Sequence, residues 1–174
     1  MVPSMQEPGQ LDELMICRLD TARRELTPCT VVIFGASGDL TARKLIPALY
    51  HLHRDQVLPQ RFRVVGFARR EKTDDAWRAE LAAALRHFSR TQSVDAGEWD
   101  KFARSLSYCR GDLTDPSAYA KLAQHLAAFG DPQLSSNLLF YLAVAPSQFG
   151  NVAARLHEAG LLQRDPPPPA WQRV

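Results

Sequence analysis

The chain has 174 residues, of which 45% are hydrophobic and 23% charged, and a formal net charge of +2. This composition predicts one globular domain and excludes a disordered chain. The weak charge argues against nucleic acid or an anionic membrane as a partner, and no apolar run is long enough to span a bilayer. The start resembles no secretory signal, and Cys17, Cys29 and Cys109 lack metal-site or disulfide-framework spacing. We therefore expect a cytoplasmic α/β domain without a metal site.

The chain divides into a polar N-terminal segment and a longer region with a regular apolar pattern. Residues 1–28 are mostly polar, with prolines near their start. We expect a partly disordered extension in which residues 11–26 could form a short helix. Residues 29–174 are expected to form the folded domain.

The first apolar run is followed directly by a glycine turn and a helix. Residues 30–34 predict a strand, Gly35-Ala36-Ser37-Gly38 a tight turn, and residues 45–52 a helix with Leu45, Leu49 and Leu52 on one face. Glycines allow backbone conformations and close approaches that a Cβ would block. The start of the helix directs unpaired N–H groups and a positive dipole end at the turn. This arrangement is typical of a site for a nucleotide pyrophosphate, although the common fingerprint has a third glycine and many such turns bind nothing.

Strands and helices continue to alternate after this unit. Pro47 is expected to end the first helical turns or to kink the helix. Residues 62–68 predict a second strand, and Thr73 can cap the helix that follows. Residues 98–105 predict a short helix and residues 106–109 a third strand. Each strand is thus separated from the next by helical sequence.

The fourth predicted strand is the most continuous apolar run in the chain. Before it, Asp115 and Pro116 fit the N-cap and first residue of a helix that Gly130 ends. Residues 137–144 then predict a central parallel strand that is covered on both faces.

The last predicted elements are a helix and the beginning of a strand. Pro146 opens the helix, with Phe149, Val152 and Leu156 expected to point inward. Proline-rich sequence connects it to residues 171–174, which fit the first half of a strand. The alternation predicts an α/β Rossmann-like fold, a doubly wound parallel sheet with helices on both faces and right-handed crossovers, incomplete at its C-terminus.

Two arginines end the second predicted strand. At this place in a dinucleotide fold an acid suits the 2′-hydroxyl of NAD and an arginine suits the 2′-phosphate of NADP. Arg69 and Arg70 therefore predict NADP, with Arg69 as the main contact. One charge-assisted contact contributes about 1.5–3 kcal/mol, or roughly ten- to a hundredfold in affinity. The alternative is two solvated arginines at a strand end.

Other polar residues beside the predicted turns have less definite roles. Asp112 and Leu113 follow the third strand, where the adenine and its ribose would lie, although Asp112 could equally cap the turn. Asp39 would repel a pyrophosphate, so we expect it to cap the helix or to orient Arg43 or Lys44. None of the histidines has metal-ligand spacing or follows a nucleophile motif.

Three stretches in order resemble the coenzyme-binding part of glucose-6-phosphate dehydrogenases. They are VVIFGASGDLTARKLIPALY from residue 31, VVGFARR from residue 64 and LFYLAVAPSQFGNV from residue 139. The family oxidises C1 of glucose 6-phosphate to the lactone, a step of the pentose phosphate pathway. Hydride passes to NADP+, and a histidine acts as the base. The resemblance implies NADP as cofactor, glucose 6-phosphate as the substrate of the full-length enzyme, and a homo-oligomer.

The resemblance also implies individual site residues. Arg69 would read the 2′-phosphate, and Asp112 and Leu113 would border the adenine. Phe149 stands where relatives often have a tyrosine near the nicotinamide. The phosphate turn would be formed by Gly35, Ala36, Ser37, Gly38, Asp39, Leu40, Thr41 and Ala42.

Two family motifs are not found in this sequence. They are E-K-P-x-G, whose lysine contacts substrate and cofactor, and R-I-D-H-Y-L-G-K-E, which holds the catalytic histidine. We therefore assign no catalytic residue and expect a truncated coenzyme domain that does not turn over glucose 6-phosphate alone. Its exposed apolar surface and strand edge predict marginal stability, self-association or dependence on a partner.

Three other interpretations stay open at this point. The chain could be a non-catalytic NADP(H)-binding or regulatory module, which would share the fold. An extended short-chain reductase is disfavoured because the third glycine and a Tyr-x-x-x-Lys pair are missing. The last is a structural α/β domain that binds no ligand.

Overall fold

The computed structural model describes residues 26–88 and 94–174 and contains one parallel sheet. The strands follow the order β3-β2-β1-β4-β5, which is the doubly wound order, so the predicted fold class is confirmed. Their bounds are β1 Cys29–Phe34, β2 Phe62–Ala68, β3 Leu106–Arg110, β4 Leu138–Leu142 and β5 Gln172–Arg173. The predicted N-terminal extension lies outside the described residues, apart from its last three.

Helices lie on both faces of the sheet. A π-helical turn, Thr41–Leu45, leads into the first α-helix, and a 3₁₀ turn, Pro146–Gln148, precedes the last. In the described part of the chain the α-helices are α1 Ile46–Arg54, α2 Asp74–Phe88, α3 Ala96–Ala103, α4 Pro116–Ala127, α5 Pro132–Ser136 and α6 Phe149–Glu158. None of the helices within residues 26–88 and 94–174 is both long enough and apolar enough to cross a bilayer.

Alternate residues of the central strands enter two separate cores. Val31 and Ile33 pack on the side of α1, α2 and α3, where Trp77 and Phe102 are buried. Their neighbours in β1 enter the opposite core, which the helices α4 and α6 cover. The sheet is therefore buried on both faces at its centre, as a parallel sheet requires.

The helix after the glycine turn is interrupted just before Pro47. The amide of Ile46 donates to the carbonyl of Thr41 five residues earlier, which is the π-helical pattern. Pro47 has no N–H to donate, so a local change in the hydrogen-bond ladder was expected. Of the predicted face, Leu45 and Leu49 pack partly buried against the core, whereas Leu52 is exposed. The buried residues of α1 are Ile46 and Tyr50.

Helix caps account for most of the predicted boundaries. Thr73 accepts a hydrogen bond from the amide of Ala76 at 3.1 Å, and Asp115 accepts one from Ser117 at 2.9 Å. The helix predicted at residues 98–105 begins two residues earlier because Asp95 caps it, accepting from the amide of Glu98 at 2.8 Å. The short helix α5 was not predicted, although Asp131 and Pro132 carry the same cap signature.

One face of β4 is not covered, which corrects the prediction for residues 137–144. Leu138 and Phe140 are buried, but Leu139 is 36% exposed and Tyr141 40% exposed. Right-handed crossovers place α6 against one face of β4, and the helices of the other layer lie over β1, β2 and β3. The prediction assumed that a continuous apolar run is covered on both sides.

The inward orientation predicted for Phe149 is also wrong. Phe149 is 41% exposed, whereas Val152 and Leu156 on the same helix are fully buried. Phe149 is the first residue of α6 and lies beyond the edge of the core that the helix covers. The helical spacing therefore assigned Phe149 to the apolar face of α6, but it did not indicate that the first residue of the helix lies outside the core.

The edge strand β3 has two side chains from α2 bonded to its backbone. The guanidinium of Arg78 donates to the carbonyl of Leu106 through Nε at 3.0 Å and through Nη2 at 2.5 Å. The carboxylate of Asp74 accepts from the amide of Tyr108 at 2.7 Å. At the other side of the sheet, β5 pairs with β4, and β5 lies within the strand predicted at residues 171–174.

Candidate functional site

A cleft of about 390 Å³ lies at the carboxyl ends of the strands. It opens where the strand order reverses between β1 and β4, which is the place where doubly wound folds bind ligands. The glycine turn, the end of β2 and the loops after β3 and β4 all contribute. The lining residues are Gly35, Ser37, Gly38, Phe67, Ala68, Arg69, Arg70, Gly111, Leu113, Ala143, Val144, Ala145 and Gln148.

The first glycine of the turn is required by both conformation and space. Gly35 has φ +87°, and a Cβ there would lie 2.2 Å from the carbonyl oxygen of Ala143. Its amide donates to the carbonyl of Phe67 at 3.0 Å, and the amide of Ala143 donates to the carbonyl of Phe34 at 2.9 Å. The turn is therefore fixed against the ends of both neighbouring strands.

The rest of the turn closes on the carbonyl of Gly35. The amide of Gly38 donates to it at 2.9 Å, and the hydroxyl of Thr41 donates to it at 3.2 Å. Thr41 is fully buried, so its side chain supports the turn from below and does not line the cleft. Ser37 and Gly38 are left facing the cleft at the start of the helical segment.

Trp77 supports the turn from α2. Its indole N–H donates to the carbonyl of Ala36 at 3.2 Å, and Ala36 itself is buried. A Cβ at Gly66 would lie 2.5 Å from the Trp77 ring, so the glycine in β2 allows the ring to reach this position. Two elements distant in sequence thus hold the turn in place.

Arg69 and Arg70 line the cleft beside the end of β2, as the sequence pattern predicts. Among the described residues neither guanidinium takes part in an ion pair. The backbone around them is held by the hydroxyl of Tyr108, which donates to the carbonyl of Arg70 at 2.8 Å. The next residue, Glu71, forms an ion pair with Arg110 at 3.0 Å. Positive charge therefore faces the cleft from an anchored loop.

Asp112 and Leu113 lie in the loop after β3, close to the arginines. Asp112 accepts from the amide of Thr114 at 2.8 Å and from its hydroxyl at 2.7 Å, so it does cap the turn. These two bonds lower the pKa of Asp112, and the charge of Arg69 lowers it further. Leu113 lines the cleft, and the phenol of Tyr119 donates to its carbonyl at 3.0 Å.

The other predicted residues of the turn are not among the residues that line the cleft. Asp39 forms an i,i+4 ion pair with Arg43 at 3.2 Å, one of the two partners expected for it. Leu40 is exposed, and Ala42 packs against the core under the sheet. Lys44 is exposed on the helical segment. Their contact with a ligand stays a prediction.

The loop after β4 was missing from the predicted site. Ala143, Val144 and Ala145 form one wall of the cleft, and Gln148 extends it. The signal was available, because β1 and β4 are neighbours in a doubly wound sheet and their ends meet at the switch point. Phe149 is not part of this wall, although it follows Gln148 directly.

The chemistry of the lining suits binding of an anionic ligand. The lining offers two guanidinium groups, backbone amides and apolar walls, and it includes no histidine or carboxylate side chain. Within residues 26–88 and 94–174 no group of three or more His, Cys, Asp or Glu side chains is placed to hold a metal ion. The described cleft can therefore bind and orient, and proton transfer would need other groups.

The sequence is similar to known glucose-6-phosphate dehydrogenases. It is 39% identical to the glucose-6-phosphate 1-dehydrogenase of Chlamydia pneumoniae over 154 residues, which cover 87% of this chain and 30% of that protein. It is 35% identical to the enzyme of Chlamydia muridarum over 155 residues, covering 84% of this chain and 29% of that protein. The chain thus spans less than a third of the length of these relatives.

Solved structures agree with the sequence relatives. The crystal structure of glucose-6-phosphate 1-dehydrogenase from Mycobacterium avium matches with a TM-score of 0.69 and 32% identity, over 79% of this chain and 28% of that chain. A glucose-6-phosphate dehydrogenase in complex with its substrate matches with the same TM-score and coverage at 28% identity. The family model described as the NAD binding domain of glucose-6-phosphate dehydrogenase matches residues 32–174. Since this match spans most of the sequence, the chain belongs to the glucose-6-phosphate dehydrogenase family and carries its NAD-binding domain.

Proposed function

We propose that this chain is the NADP-binding portion of a glucose-6-phosphate dehydrogenase. In the whole enzyme, hydride would pass from C1 of glucose 6-phosphate to NADP+, giving 6-phosphogluconolactone. The observation that carries the proposal is the pairing of a strict glycine turn with two arginines in one cleft. Gly35 allows the turn to pack against the Ala143 backbone at the edge of the cleft, and Arg69 and Arg70 line the same cleft.

The residues present fit a dinucleotide phosphate. The backbone amide of Ser37 and the positive end of the helix dipole would hold the pyrophosphate. Gly38 would line the site beside it, while its own amide closes the turn on the Gly35 carbonyl. Arg69 would hold the 2′-phosphate, and Leu113 would cover the adenine. The coenzyme supplies the hydride-accepting ring when bound. The described residues of this chain would bind and orient it.

The rest of the reaction is assigned to parts of the relatives that this chain does not match. The lining of the cleft contains no side chain suited to act as a general base on a sugar hydroxyl. The relatives are more than three times longer than the matched segment. We therefore propose that this chain binds NADP+ but does not oxidise glucose 6-phosphate by itself.

The proposal is tested by calorimetric titration of the chain with NADP+ and, separately, with NAD+. We expect NADP+ to bind about ten- to a hundredfold more tightly, because one charge-assisted phosphate contact has that effect. Arg69→Ala should remove most of this preference. Arg86→Ala is the matched control, because it removes the same charge from an exposed position on α2 outside the cleft.

Two results would count against the proposal. Equal affinity for the two coenzymes in a folded sample would exclude the assignment of Arg69. Formation of NADPH by the isolated chain with glucose 6-phosphate would show that it is catalytically sufficient, contrary to the division of roles proposed here.

A non-catalytic NADP(H)-binding module is the second candidate, because the described cleft has binding groups but no base. This candidate predicts the same affinities in the titrations with NADP+ and NAD+. The two candidates differ when the chain is extended with the downstream segment of a relative. Only an enzyme portion should then gain the ability to form NADPH with glucose 6-phosphate.

A further inference from the structure

The loop that carries Arg69 and Arg70 is held by a hydrogen bond from the buried phenol of Tyr108. Tyr108 lies in β3 opposite Gly66 of β2, and only 7% of it is exposed. Its hydroxyl is 2.8 Å from the carbonyl oxygen of Arg70 and 3.4 Å from that of Ala68. These two carbonyls belong to the residues on either side of Arg69. The phenol therefore fixes the peptide groups that determine where the Arg69 side chain leaves the backbone.

The ring of Tyr108 is itself fixed by its neighbours. It packs against Trp77 with the ring centroids 5.5 Å apart, and the Trp77 indole N–H donates to Ala36 of the glycine turn. The same pair of aromatic side chains thus contacts both the phosphate turn and the arginine loop. The position of the phosphate turn is therefore coupled to the position of the arginine loop, because closely packed rings have little room to move.

The guanidinium of Arg69 depends on this backbone support. It takes part in no ion pair among the described residues, and the carboxylate of nearby Asp112 is bonded to Thr114. A long side chain loses rotamer freedom when it grips a phosphate, and a backbone that is already fixed avoids a further loss of backbone freedom on binding. We propose that Tyr108 is a positioning residue for recognition of the coenzyme 2′-phosphate, acting through its hydrogen bond to the Arg70 carbonyl. This inference rests on the proposed function.

The test replaces the hydroxyl and compares two coenzymes. Tyr108→Phe keeps the ring and removes the hydroxyl, and with it the contacts to the carbonyls of Arg70 and Ala68. We expect the Kd for NADP+ to rise about two- to tenfold, the effect of one hydrogen bond, with the Kd for NAD+ nearly unchanged. The readout is the ratio of the two constants by calorimetry. A partly unfolded sample weakens binding of both coenzymes equally, so the ratio reports position and not stability.

Tyr119→Phe is the matched control. Tyr119 is also buried, and its hydroxyl also donates to a loop carbonyl, that of Leu113. Leu113 would contact the adenine, which NADP+ and NAD+ share. We therefore expect this variant to change both constants by the same factor and to leave their ratio as in the wild-type chain.

A double variant shows whether Tyr108 acts through the arginine. In an Arg69→Ala background, Tyr108→Phe should change the ratio no further, because the group that it positions is gone. Wild-type preference for NADP+ that survives Tyr108→Phe, or an additional effect in the Arg69→Ala background, would overturn this inference and leave the proposed function intact. If the wild-type chain does not prefer NADP+, the proposed function fails and this inference fails with it.

Discussion

At the scale of single residues, the glycine turn depends on groups that touch it from three directions. Phe67 accepts the Gly35 amide, Thr41 binds the Gly35 carbonyl, and Trp77 binds the Ala36 carbonyl. Only the glycines could be predicted from the sequence, because their role follows from local backbone conformation. The support from Trp77 comes from 41 positions away, and nothing in the local pattern around either residue signals it.

Gly35→Ala should disturb the turn severely. A left-handed conformation costs a residue with a Cβ about 1–2 kcal/mol, and the Cβ would also meet the carbonyl oxygen of Ala143 at 2.2 Å. We expect a lower unfolding midpoint in urea and a loss of NADP+ binding greater than about tenfold. Gly150→Ala is the control, because no atom lies within 4 Å of a Cβ there and alanine favours the helix α6. An unchanged midpoint and affinity for Gly35→Ala would contradict the turn geometry.

Asp112 shows how far a residue type alone determines a role. The sequence left two interpretations, a turn cap or a contact to adenine, and the structure places its carboxylate on Thr114. A carboxylate has further lone pairs, so the contact to adenine stays a prediction. Caps are determined by neighbours one to three residues away, which is why they could be predicted and ligand contacts could not.

At the scale of elements, the ends of the helices were predicted more accurately than the faces that are buried. The Asp115-Pro116 signature placed the start of α4 correctly, since a cap is a local interaction. The exposure of Phe149 and Leu139 was predicted wrongly because burial depends on which other elements lie above them. Spacing identifies the apolar stripe of an element, and only the tertiary structure determines how much of the stripe is covered.

The contact between α4 and β3 predicts a dependence of stability on pH. His125 on α4 lies with Nε2 2.8 Å from the Ser107 hydroxyl on β3, and burial lowers its pKa below 6.5, against a smaller opposing effect of Asp74. Between the folded-state pKa and 6.5 the unfolded chain binds more protons at this residue. The unfolding free energy should therefore be highest above pH 6.5, fall as the pH is lowered through this window, and level off below the folded-state pKa.

Urea unfolding at several pH values checks this expectation. His125→Gln should remove the part of the pH dependence that lies in this window. Ser107→Ala should retain it, because it removes the hydrogen bond but leaves the buried imidazole. Identical pH profiles for wild type and His125→Gln would mean that His125 does not contribute.

At the scale of the whole molecule, the doubly wound parallel sheet with helices on both faces could be predicted, because right-handed connections leave few topologies for this alternation. The same rule explains the uncovered face of β4. The helices that connect β4 with its neighbours lie on the opposite face, so Leu139 and Tyr141 have no helix above them. This consequence follows from topology, but the apolar sequence of the strand favoured the opposite conclusion.

The uncovered face should promote self-association. Exposed apolar side chains on a sheet gain free energy when another surface covers them, at about 25 cal/mol per Å². We expect concentration-dependent association of the chain in sedimentation velocity, and Tyr141→Lys should weaken it by about tenfold or more. Val57→Lys is the control at another exposed apolar position outside this face. A wild-type chain that remains monomeric at every concentration would contradict this expectation.

The two side chains that bind the backbone of β3 determine the edge at which a further strand can join the sheet. Arg78 occupies the Leu106 carbonyl and Asp74 occupies the Tyr108 amide, so these groups are not available to an additional strand. Main-chain pairing with a sixth strand, from any source, is therefore directed to the side of β5. The loop that carries Arg69 and Arg70 lies at the end of β2, which is the neighbour of the edge strand β3. A strand that joins the sheet beside β5 can thus enlarge the sheet and leave access to the arginine side of the cleft unobstructed.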